Sequence, residues 1–361
     1  MSSKQASRAA YVPYPFAAIV AQDEPKLAIL LAAINPRIGG VLLSGSKGVG
    51  KTSIVRAVGD LLPMLDRLDC AYGCDPKGAV CAEHPQGTKE GVRSVRAEIV
   101  ELPANAQIDD VVGTVDLRAA LETSTIAFRP GLLARANRSI LYVDEINLLS
   151  DAIVDVLLDA AAQGVVHVKR GQHTIEYPSR FVLVGTMNPE EGELRPQITD
   201  RIGLRVFVGA AASREERTEI YRRNAAFARD PRAFGAAYAA KTKALRTKVE
   251  KAIALLTEVK PEAEAEAVAI DAVMRLGIES HRTEFVALEA ACALAAFEGR
   301  TTATAADVRR VFPMAARLRR SRLRVQALTE YLAEDAAIDA ALEDGADGEA
   351  ESNEPPPDAG G

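Results

Sequence analysis

Gly45-Ser46-Lys47-Gly48-Val49-Gly50-Lys51-Thr52 matches the phosphate-binding pattern G-x-x-x-x-G-K-S/T at every fixed position. An apolar run, residues 41–43, precedes this stretch, and a helical pattern begins near Ser53. Strand, glycine-rich turn and helix in this order let backbone N–H groups and the helix N-terminus face phosphate oxygens. We therefore predict a nucleotide site built from residues 45–53, in which Lys51 contacts the β- and γ-phosphates and the Thr52 hydroxyl ligates Mg²⁺. The alternative is a glycine-rich turn that binds nothing.

Two adjacent carboxylates, Asp144 and Glu145, follow a second apolar run at residues 139–143. A near-continuous apolar run is typical of a strand buried in a parallel sheet, and ligands bind at the carboxyl ends of such strands. We expect Asp144 to hold Mg²⁺, directly or through water, and Glu145 to orient and polarise the attacking water. The alternative is a pair of carboxylates that only caps a strand. The phosphate-binding pattern upstream favours the catalytic interpretation.

Polar candidates for contact with the γ-phosphate are Asn188, Arg201 and Arg282. Asn188 closely follows a third apolar run, residues 181–186, so its amide could hydrogen-bond to the γ-phosphate or the attacking water. An asparagine before Pro189 is also a common turn residue. A cation is required because the transition state of phosphoryl transfer spreads negative charge over the phosphate oxygens. Spacing alone does not select the two arginines among 44 basic residues.

Strands that alternate with helices predict an α/β fold with a parallel sheet covered by helices on both faces. We assign residues 13–212 to this nucleotide-binding domain. Beyond it the composition shifts to Ala, Arg, Glu and Leu with almost no strand pattern, which predicts an α-helical domain over residues 213–330. We expect disorder at residues 1–12 and in the acidic, proline-containing tail at residues 331–361, which has too little apolar surface to fold.

Three segments of the first domain have patterns of their own. Residues 66–90 are rich in Gly, Pro, Asp and Cys, which indicates an irregular insertion loop. Residues 95–102 are predicted to form one further strand. Residues 165–176 contain two apolar runs around a turn at residues 170–172, which predicts a β-hairpin.

The charge and hydropathy of the chain argue against two classes of function. The 361 residues carry a net charge of −6 with a pI near 5.5, which is unfavourable for a general nucleic-acid-binding surface. A basic segment at residues 309–324 fits a solvated helix face or a contact between subunits better than a nucleic-acid site. No apolar run approaches the ~20 residues that span a bilayer, and residues 1–10 lack the apolar core of a secretory signal. We expect a soluble, cytoplasmic protein.

Cys70, Cys74, Cys81 and His84 lie within one short part of the insertion loop. Three cysteines and a histidine can bind zinc tetrahedrally, although the spacing C-x₃-C-x₆-C-x₂-H is not that of a standard zinc finger. A thiol redox sensor and a reduced loop without special chemistry are the alternatives, and all three stay open here. The remaining cysteine, Cys292, falls on an apolar helix face, where we expect it to pack in the core.

Four further phrases of the sequence are distinctive. The most specific is Asn188-Pro189-Glu190-Glu191-Gly192-Glu193-Leu194-Arg195-Pro196-Gln197, followed by Asp200-Arg201. The others are residues 14–28, 128–149 and 293–300. Together they resemble the I-subunit family of magnesium chelatases, and the resemblance covers roughly residues 13–325.

The resemblance implies an AAA+ ATPase, with a P-loop NTPase core and an α-helical lid domain, that uses ATP and Mg²⁺. Such subunits assemble into homo-oligomeric rings, for which we expect hexamers. The rings work with a second AAA+ subunit, D, and a porphyrin-binding subunit, H. ATP hydrolysis then drives insertion of Mg²⁺ into protoporphyrin IX, which commits it to chlorophyll or bacteriochlorophyll.

The resemblance also implies roles for particular residues. The arginine that matches Arg201 is the finger that reaches the nucleotide of a neighbouring subunit, and the one that matches Arg282 is a second sensor in the helical domain. Ile19 and Val20 match positions near adenine. Residues 116–135 match an inserted helix-hairpin that would contact partners.

Three departures from the family pattern stand out. Ala21 occupies a position that is usually Gly, and Ser46-Lys47 replaces the usual Asp-Arg. Near Leu288-Glu289 an arginine common in the family is absent, which puts an auxiliary charge contact of the lid in doubt.

Two other functions are compatible with the same nucleotide residues. One is a MoxR-type AAA+ remodeller that assembles another metalloprotein and differs from a chelatase subunit only in its partners. The other is a nucleotide-gated scaffold that binds ATP and barely hydrolyses it, against which the intact Glu145 argues.

Overall fold

The computed structural model describes residues 12–78, 81, 91–116, 127–170, 173–192, 195, 198 and 201–317. Residues 1–11 of the N-terminus predicted to be disordered and the whole predicted tail at 331–361 lie outside these ranges. His84 and residues 117–126 of the predicted helix-hairpin also lie outside them.

The strands of the described residues are numbered in chain order. They are β1 (Val41–Ser44), β2 (Met64–Leu68), β3 (Val92–Arg96), β4 (Ile99–Leu102), β5 (Gly113–Asp116), β6 (Ala127–Pro130), β7 (Ile140–Val143), β8 (Val165–Arg170), β9 (His173–Pro178), β10 (Val182–Met187), β11 (Leu204–Phe207), β12 (Lys260–Pro261) and β13 (Thr302–Ala303). The α-helices are α1 (Asp23–Ile34), α2 (Lys51–Ala57), α3 (Ile108–Val112), α4 (Leu132–Arg135), α5 (Asp151–Gln163), α6 (Arg214–Arg229), α7 (Pro231–Leu255), α8 (Ala263–Arg275), α9 (Arg282–Phe297) and α10 (Ala305–Ala316).

Five strands form the central sheet in the order β11-β1-β10-β7-β4, and every neighbouring pair is parallel. Val41 of β1 lies opposite Val184 of β10 on one side and Leu204 of β11 on the other. This topology confirms the predicted α/β fold. Because the carboxyl ends of parallel strands meet at one edge, the segments that begin at Gly45, Asp144 and Asn188 all leave the sheet on the same side.

Both faces of the sheet are buried, which explains the continuous apolar runs. Val41 and Leu43 belong to one core, shared with α1, α2 and helices α7 to α10, while Leu42 between them belongs to the other core, shared with α5 and the strands β8 and β9. Successive side chains of a strand point to opposite faces, so a strand covered on both sides must be apolar at every position.

Three antiparallel hairpins extend the sheet domain: β2 with β3, β5 with β6, and β8 with β9. The last of these confirms the predicted hairpin at residues 165–176. The prediction of one strand over residues 95–102 is wrong, because the chain changes partners at Ala97. Residues before Ala97 pair with β2, and residues after Glu98 join β7 in the central sheet. The insertion predicted to be irregular from residue 66 likewise begins as strand β2, which runs to Leu68.

From residue 213 to residue 317 the chain is helical apart from short connections and the two-residue pair β12–β13. Capping boxes mark the N-termini of two of these helices. At α6, Ser213 Oγ accepts a hydrogen bond from Glu216 N while the Glu216 carboxylate accepts one from Ser213 N, and Thr304 and Asp307 form the same capping box at α10. This agrees with the predicted helical lid, and its boundary at residue 213 stays a prediction.

Polar contacts fasten the helical segment to the sheet domain. Arg205 of β11 is 1% exposed, and its guanidinium donates to Ala315 O and Arg317 O at the end of α10. A cation there stabilises the unpaired carbonyls of a helix C-terminus. Glu289 of α9 accepts from Asn35 Nδ2 at 2.7 Å and pairs with Arg37 at 3.2 Å. The resemblance implies an arginine near this position, which this chain lacks. Here the carboxylate of Glu289 makes the contact between the helical segment and the sheet domain instead.

Candidate nucleotide-binding site

The loop between β1 and α2 has the shape that a phosphate-binding loop requires. Gly45 N donates to Met187 O of β10, and a Cβ on Gly45 would lie 2.3 Å from Val208 O, so no larger residue fits. Gly48 and Gly50 have φ angles of +81° and +92°. A Cβ on either would meet nothing within 4 Å, so the left-handed backbone rather than a lack of space requires glycine there.

Lys51, the first residue of α2, directs its ammonium group back onto this loop. Its Nζ donates to Gly45 O at 2.5 Å and to Ser46 O at 2.9 Å. Burial lowers the pKa of Lys51, while the carboxylates of Asp144 and Glu145 act in the opposite direction. The ammonium is thus held over the loop by weak backbone acceptors, and phosphate oxygens would be stronger partners.

Ser46 and Lys47, the two loop residues that depart from the family pattern, differ in their contacts. The side chain of Ser46 is exposed, as is that of Ser53 in the helix. Lys47 pairs with Glu191 in the turn that follows β10, and this hydrogen bond raises the pKa of Lys47. The pair links the phosphate loop to the segment that carries Asn188.

The two predicted Mg²⁺ ligands, Thr52 and Asp144, share a hydroxyl partner. The Tyr142 hydroxyl lies 3.2 Å from Thr52 Oγ1 and 2.9 Å from Asp144 Oδ1. Burial raises the pKa of Tyr142 to about 12, so the phenol keeps its proton. Thr186 Oγ1 donates to the same Asp144 oxygen at 2.5 Å and accepts from Glu145 N at 3.1 Å. Two strands, β7 and β10, therefore fix the Asp144 carboxylate close to the Thr52 hydroxyl.

This set of groups fits a magnesium ion. Mg²⁺ prefers oxygen ligands and is usually held by one or two carboxylates together with the phosphates of its substrate. Asp144 is exposed and so able to reach an ion, and its position is set by neutral hydroxyls rather than by a competing cation.

Glu145 adopts a backbone conformation that is uncommon for its residue type. Its φ is 51° and its ψ is 54°, and a short 3₁₀ helix at Ile146–Leu148 begins directly after it. A left-handed non-glycine residue costs roughly 1–2 kcal/mol, and such strain often occurs at functional sites. Here it turns the chain sharply at the strand end, with Glu145 half-buried beside Asp144.

Asn188 is 3% exposed and follows β10. Its Oδ1 accepts from Glu190 N at 3.3 Å and so caps the 3₁₀ helix Pro189–Glu191. The turn-forming role is therefore present in the structure. The nucleotide-sensing role is compatible with its place at the carboxyl edge of the sheet and stays a prediction.

Arg201 and Arg282 do not lie at the phosphate loop of their own chain. Arg282 donates to Arg201 O at 2.9 Å, and its Nη2 would be 2.7 Å from a Cβ on Gly39, just before β1 begins. Arg201 itself donates to Leu158 O in α5. Both arginines therefore lie at the amino end of β1, whereas the phosphate loop follows its carboxyl end. The four residues of β1, at ~3.3 Å each, separate the arginines from the loop.

Two family models match parts of the chain. The model described as "Magnesium chelatase, subunit ChlI" matches residues 113–211, and the model described as "AAA lid domain" matches residues 266–340. The first covers β7, Asp144, Glu145 and Asn188, and the second covers α9 with Arg282.

Relatives extend this similarity over most of the chain. The magnesium-chelatase subunit ChlI homolog of Methanocaldococcus jannaschii is 44% identical over 84% of this chain and 84% of its own. The magnesium-chelatase 38 kDa subunit of Acidiphilium rubrum is 44% identical over 89% and 94%.

The chain belongs to the magnesium chelatase ChlI family.

A further ChlI relative, from Nostoc sp., is 41% identical over 85% of this chain and 84% of its own. A solved structure that models the complex between the BchI and BchD subunits of magnesium chelatase shares 40% identity over 86% of this chain. Its TM-score of 0.49 is too low for the superposition to support an argument.

The segment that the ChlI resemblance places near adenine is Ile19-Val20. Both side chains are half-buried, and Ile19 packs against the larger core. Two cations bind the neighbouring carbonyls, since Arg223 donates to Ala18 O at 3.0 Å and Lys26 donates to Ile19 O at 3.4 Å. The contact with adenine stays a prediction.

Ala21 has a φ of 52°, a left-handed backbone conformation that favours the glycine which the family resemblance implies at this position. We expect Ala21→Gly to stabilise the protein by about 0.5–1 kcal/mol, because the relief of left-handed strain exceeds the entropy that glycine adds to the unfolded chain. The melting temperature should rise by about 2 °C. Ala240→Gly, at an exposed position in the interior of α7, is the matched control and should lower stability. Equal losses in both variants would contradict this assignment.

Tyr142 and Thr186 are the site residues that the sequence-based prediction missed. Both lie inside the apolar runs that the sequence predicts to be buried strands, and their hydroxyls are not among the predicted site groups. The available signal was the hydroxyl itself, because a buried polar group in a parallel strand needs a hydrogen-bond partner.

Proposed function

We propose that this chain is the ATP-hydrolysing motor subunit of a magnesium chelatase, whose cycle drives insertion of Mg²⁺ into protoporphyrin IX in (bacterio)chlorophyll biosynthesis. The observation that carries the proposal is the Thr52–Tyr142–Asp144–Thr186 network beside the phosphate loop, in a chain that spans 94% of a magnesium-chelatase subunit at 44% identity. The network supports binding and hydrolysis of Mg²⁺-ATP. The similarity to magnesium-chelatase subunits supports metal insertion as the process that this hydrolysis drives.

The proposed ATP site assigns one task to each residue of the chain. The loop at residues 45–52 and the Lys51 ammonium bind the phosphates, and the Thr52 hydroxyl and the Asp144 carboxylate would hold Mg²⁺. When bound, that ion neutralises charge that develops on the phosphate oxygens. Glu145 orients the attacking water, and Asn188 contacts the γ-phosphate or that water.

Completion of this site requires a second copy of the chain. The amino end of β1 carries Arg201 and Arg282, and the carboxyl end carries the phosphate loop. A cation at one end and an anion site at the other cannot meet within one subunit, but they meet when subunits pack head to tail. Such heterologous packing forms a ring when the rotation between neighbouring subunits closes, and an open filament when it does not. We propose a homo-oligomeric ring, hexameric by its family resemblance, in which both arginines reach the nucleotide of the neighbour.

The partners in this proposal are a second AAA+ subunit, D, and a porphyrin-binding subunit, H. Nothing among the described residues forms an obvious porphyrin cavity, so metal insertion is assigned to the complex rather than to this chain alone. Every helix among the described residues is too short or too polar to cross a bilayer. A cytoplasmic location stays a prediction.

A reconstituted metal-insertion assay tests the function. The purified chain is mixed with cognate D and H subunits, protoporphyrin IX, Mg²⁺ and ATP, and formation of Mg-protoporphyrin is followed by fluorescence. We expect insertion only when all three subunits and hydrolysable ATP are present, and none with Glu145→Gln. ATP hydrolysis without insertion in the complete mixture would favour the MoxR-type remodeller. Binding of ATP without hydrolysis at ring-forming concentrations would favour the scaffold.

A further inference from the structure

Three cysteines converge in the insertion between β2 and β3. The Sγ atoms of Cys70, Cys74 and Cys81 all lie within 4.8 Å of one another, and none of the three forms a disulfide within the described part of the chain. In a tetrahedral zinc site with Zn–S bonds of about 2.3 Å, neighbouring sulfurs are about 3.8 Å apart. Shifts of about 1 Å would therefore bring all three onto one ion.

Backbone amides are directed at two of these sulfur atoms. Cys81 N donates to Cys74 Sγ at 3.1 Å, and Cys74 N lies 3.5 Å from Cys70 Sγ. A neutral thiol is a weak acceptor, whereas a thiolate accepts charge-assisted hydrogen bonds strongly. Burial raises the pKa of the Cys74 thiol, so this thiolate needs a cation beside it. The loop thus supplies backbone amide donors to a thiolate site in which Cys74 and Cys81 are buried and Cys70 is partly exposed.

Contacts outside the cluster hold the cysteines together. Asn137 Nδ2 donates to Tyr72 O at 3.1 Å, and Arg138 pairs with Asp75 at 3.4 Å. The Tyr72 ring stacks on Tyr177 of β9 with centroids 5.1 Å apart. The ligand positions are therefore set by the folded core rather than by the metal, which is the arrangement that lowers the entropic cost of binding.

We propose that Cys70, Cys74 and Cys81 bind a zinc ion as thiolates, at a structural site separate from the nucleotide site. Three sulfur ligands select zinc over magnesium, which prefers oxygen. Binding releases the three thiol protons to solvent, and no oxidation takes place. The ion would cross-link residues 70–81 and so stabilise the insertion whose Tyr72 stacks on Tyr177 of β9. His84 lies outside the described residues, and the proposal rests on the three thiols.

Metal analysis of the full chain, purified under reducing conditions without a polyhistidine tag, tests this proposal. We expect about one equivalent of zinc per chain, which Cys74→Ser and Cys70→Ser lose. Cys292→Ser is the matched control: Cys292 is a buried free cysteine of α9, packed in the core as the sequence predicted, and this variant should keep its zinc. Zinc added back to chelator-treated wild-type protein should raise its melting temperature and leave that of Cys74→Ser unchanged.

A cobalt titration of the wild-type protein removes any dependence on variants that fail to fold. Co²⁺ should give the intense visible bands and the sulfur-to-cobalt charge transfer of a tetrahedral thiolate site. Zinc below about a tenth of an equivalent, together with no such bands, would overturn the proposal. A disulfide between two of the three cysteines, found by mass spectrometry in freshly isolated protein, would also overturn it in favour of a redox pair.

Discussion

Arg201→Ala should bind ATP as tightly as the wild-type protein and lose nearly all of its hydrolysis. In the proposed ring, Arg201 touches the γ-phosphate of the neighbouring subunit, and an arginine in that position contributes ~10³–10⁵ in rate. Binding is preserved because Lys51, Thr52 and Asp144 belong to the other subunit of the interface. Among the described residues the Arg201 side chain donates to Leu158 O, and loss of that hydrogen bond costs only about 1 kcal/mol. ATPase rates and nucleotide titrations measure the two properties separately.

Mixing two inactive variants tests the action between subunits directly. Glu145→Gln retains the finger and lacks the water-orienting group, while Arg201→Ala has the reverse defect. In random rings from an equal mixture, about a quarter of the interfaces combine an intact Glu145 with an intact Arg201. We expect the mixture to regain up to that share of wild-type activity. No recovery at any ratio would place Arg201 within its own subunit's site or outside catalysis. Arg222→Ala, which removes an exposed arginine of α6, should leave the rate unchanged.

Thr186→Val should lower ATP turnover by about 10–100-fold, the usual range for groups that orient a metal ligand. Valine has nearly the shape of threonine, so the substitution removes the hydroxyl that donates to Asp144 and accepts from Glu145 N. The Asp144 carboxylate then loses one of its two hydroxyl partners, and the turn at Glu145 loses an anchor. We expect a higher Mg²⁺ concentration at half-maximal rate, and partial recovery of the rate at high Mg²⁺.

Two comparisons separate positioning from simple loss of stability. Thr186→Ser keeps the hydroxyl and should restore most of the rate. Thr283→Val changes another fully buried threonine, in α9, whose hydroxyl makes no hydrogen bond to the described residues, and should leave the Mg²⁺ requirement unchanged. If Thr186→Val needed no more Mg²⁺ than the wild type, Asp144 would not depend on Thr186.

Elements with a strong local signal were predicted within a residue or two. The glycines of the phosphate loop, the apolar strand β7 and the two strands of the β8–β9 hairpin are encoded by neighbours in sequence, since each depends on its own backbone angles or on a buried run. The strand predicted at residues 95–102 failed for a different reason. Both halves of this segment have strand-forming sequence. They are two strands because the first half pairs with β2 and the second half pairs with β7.

The sequence by itself therefore determined the phosphate loop, the acidic strand end and the helical character of the second part of the chain, because these depend on residue types at short spacing. The tertiary structure alone decided which hydroxyls hold Asp144. It also grouped Arg201 with Arg282 at the amino end of β1, away from the phosphate loop. These relations join residues far apart in the chain, and their distances follow from strand order and packing, which no short pattern of residues encodes.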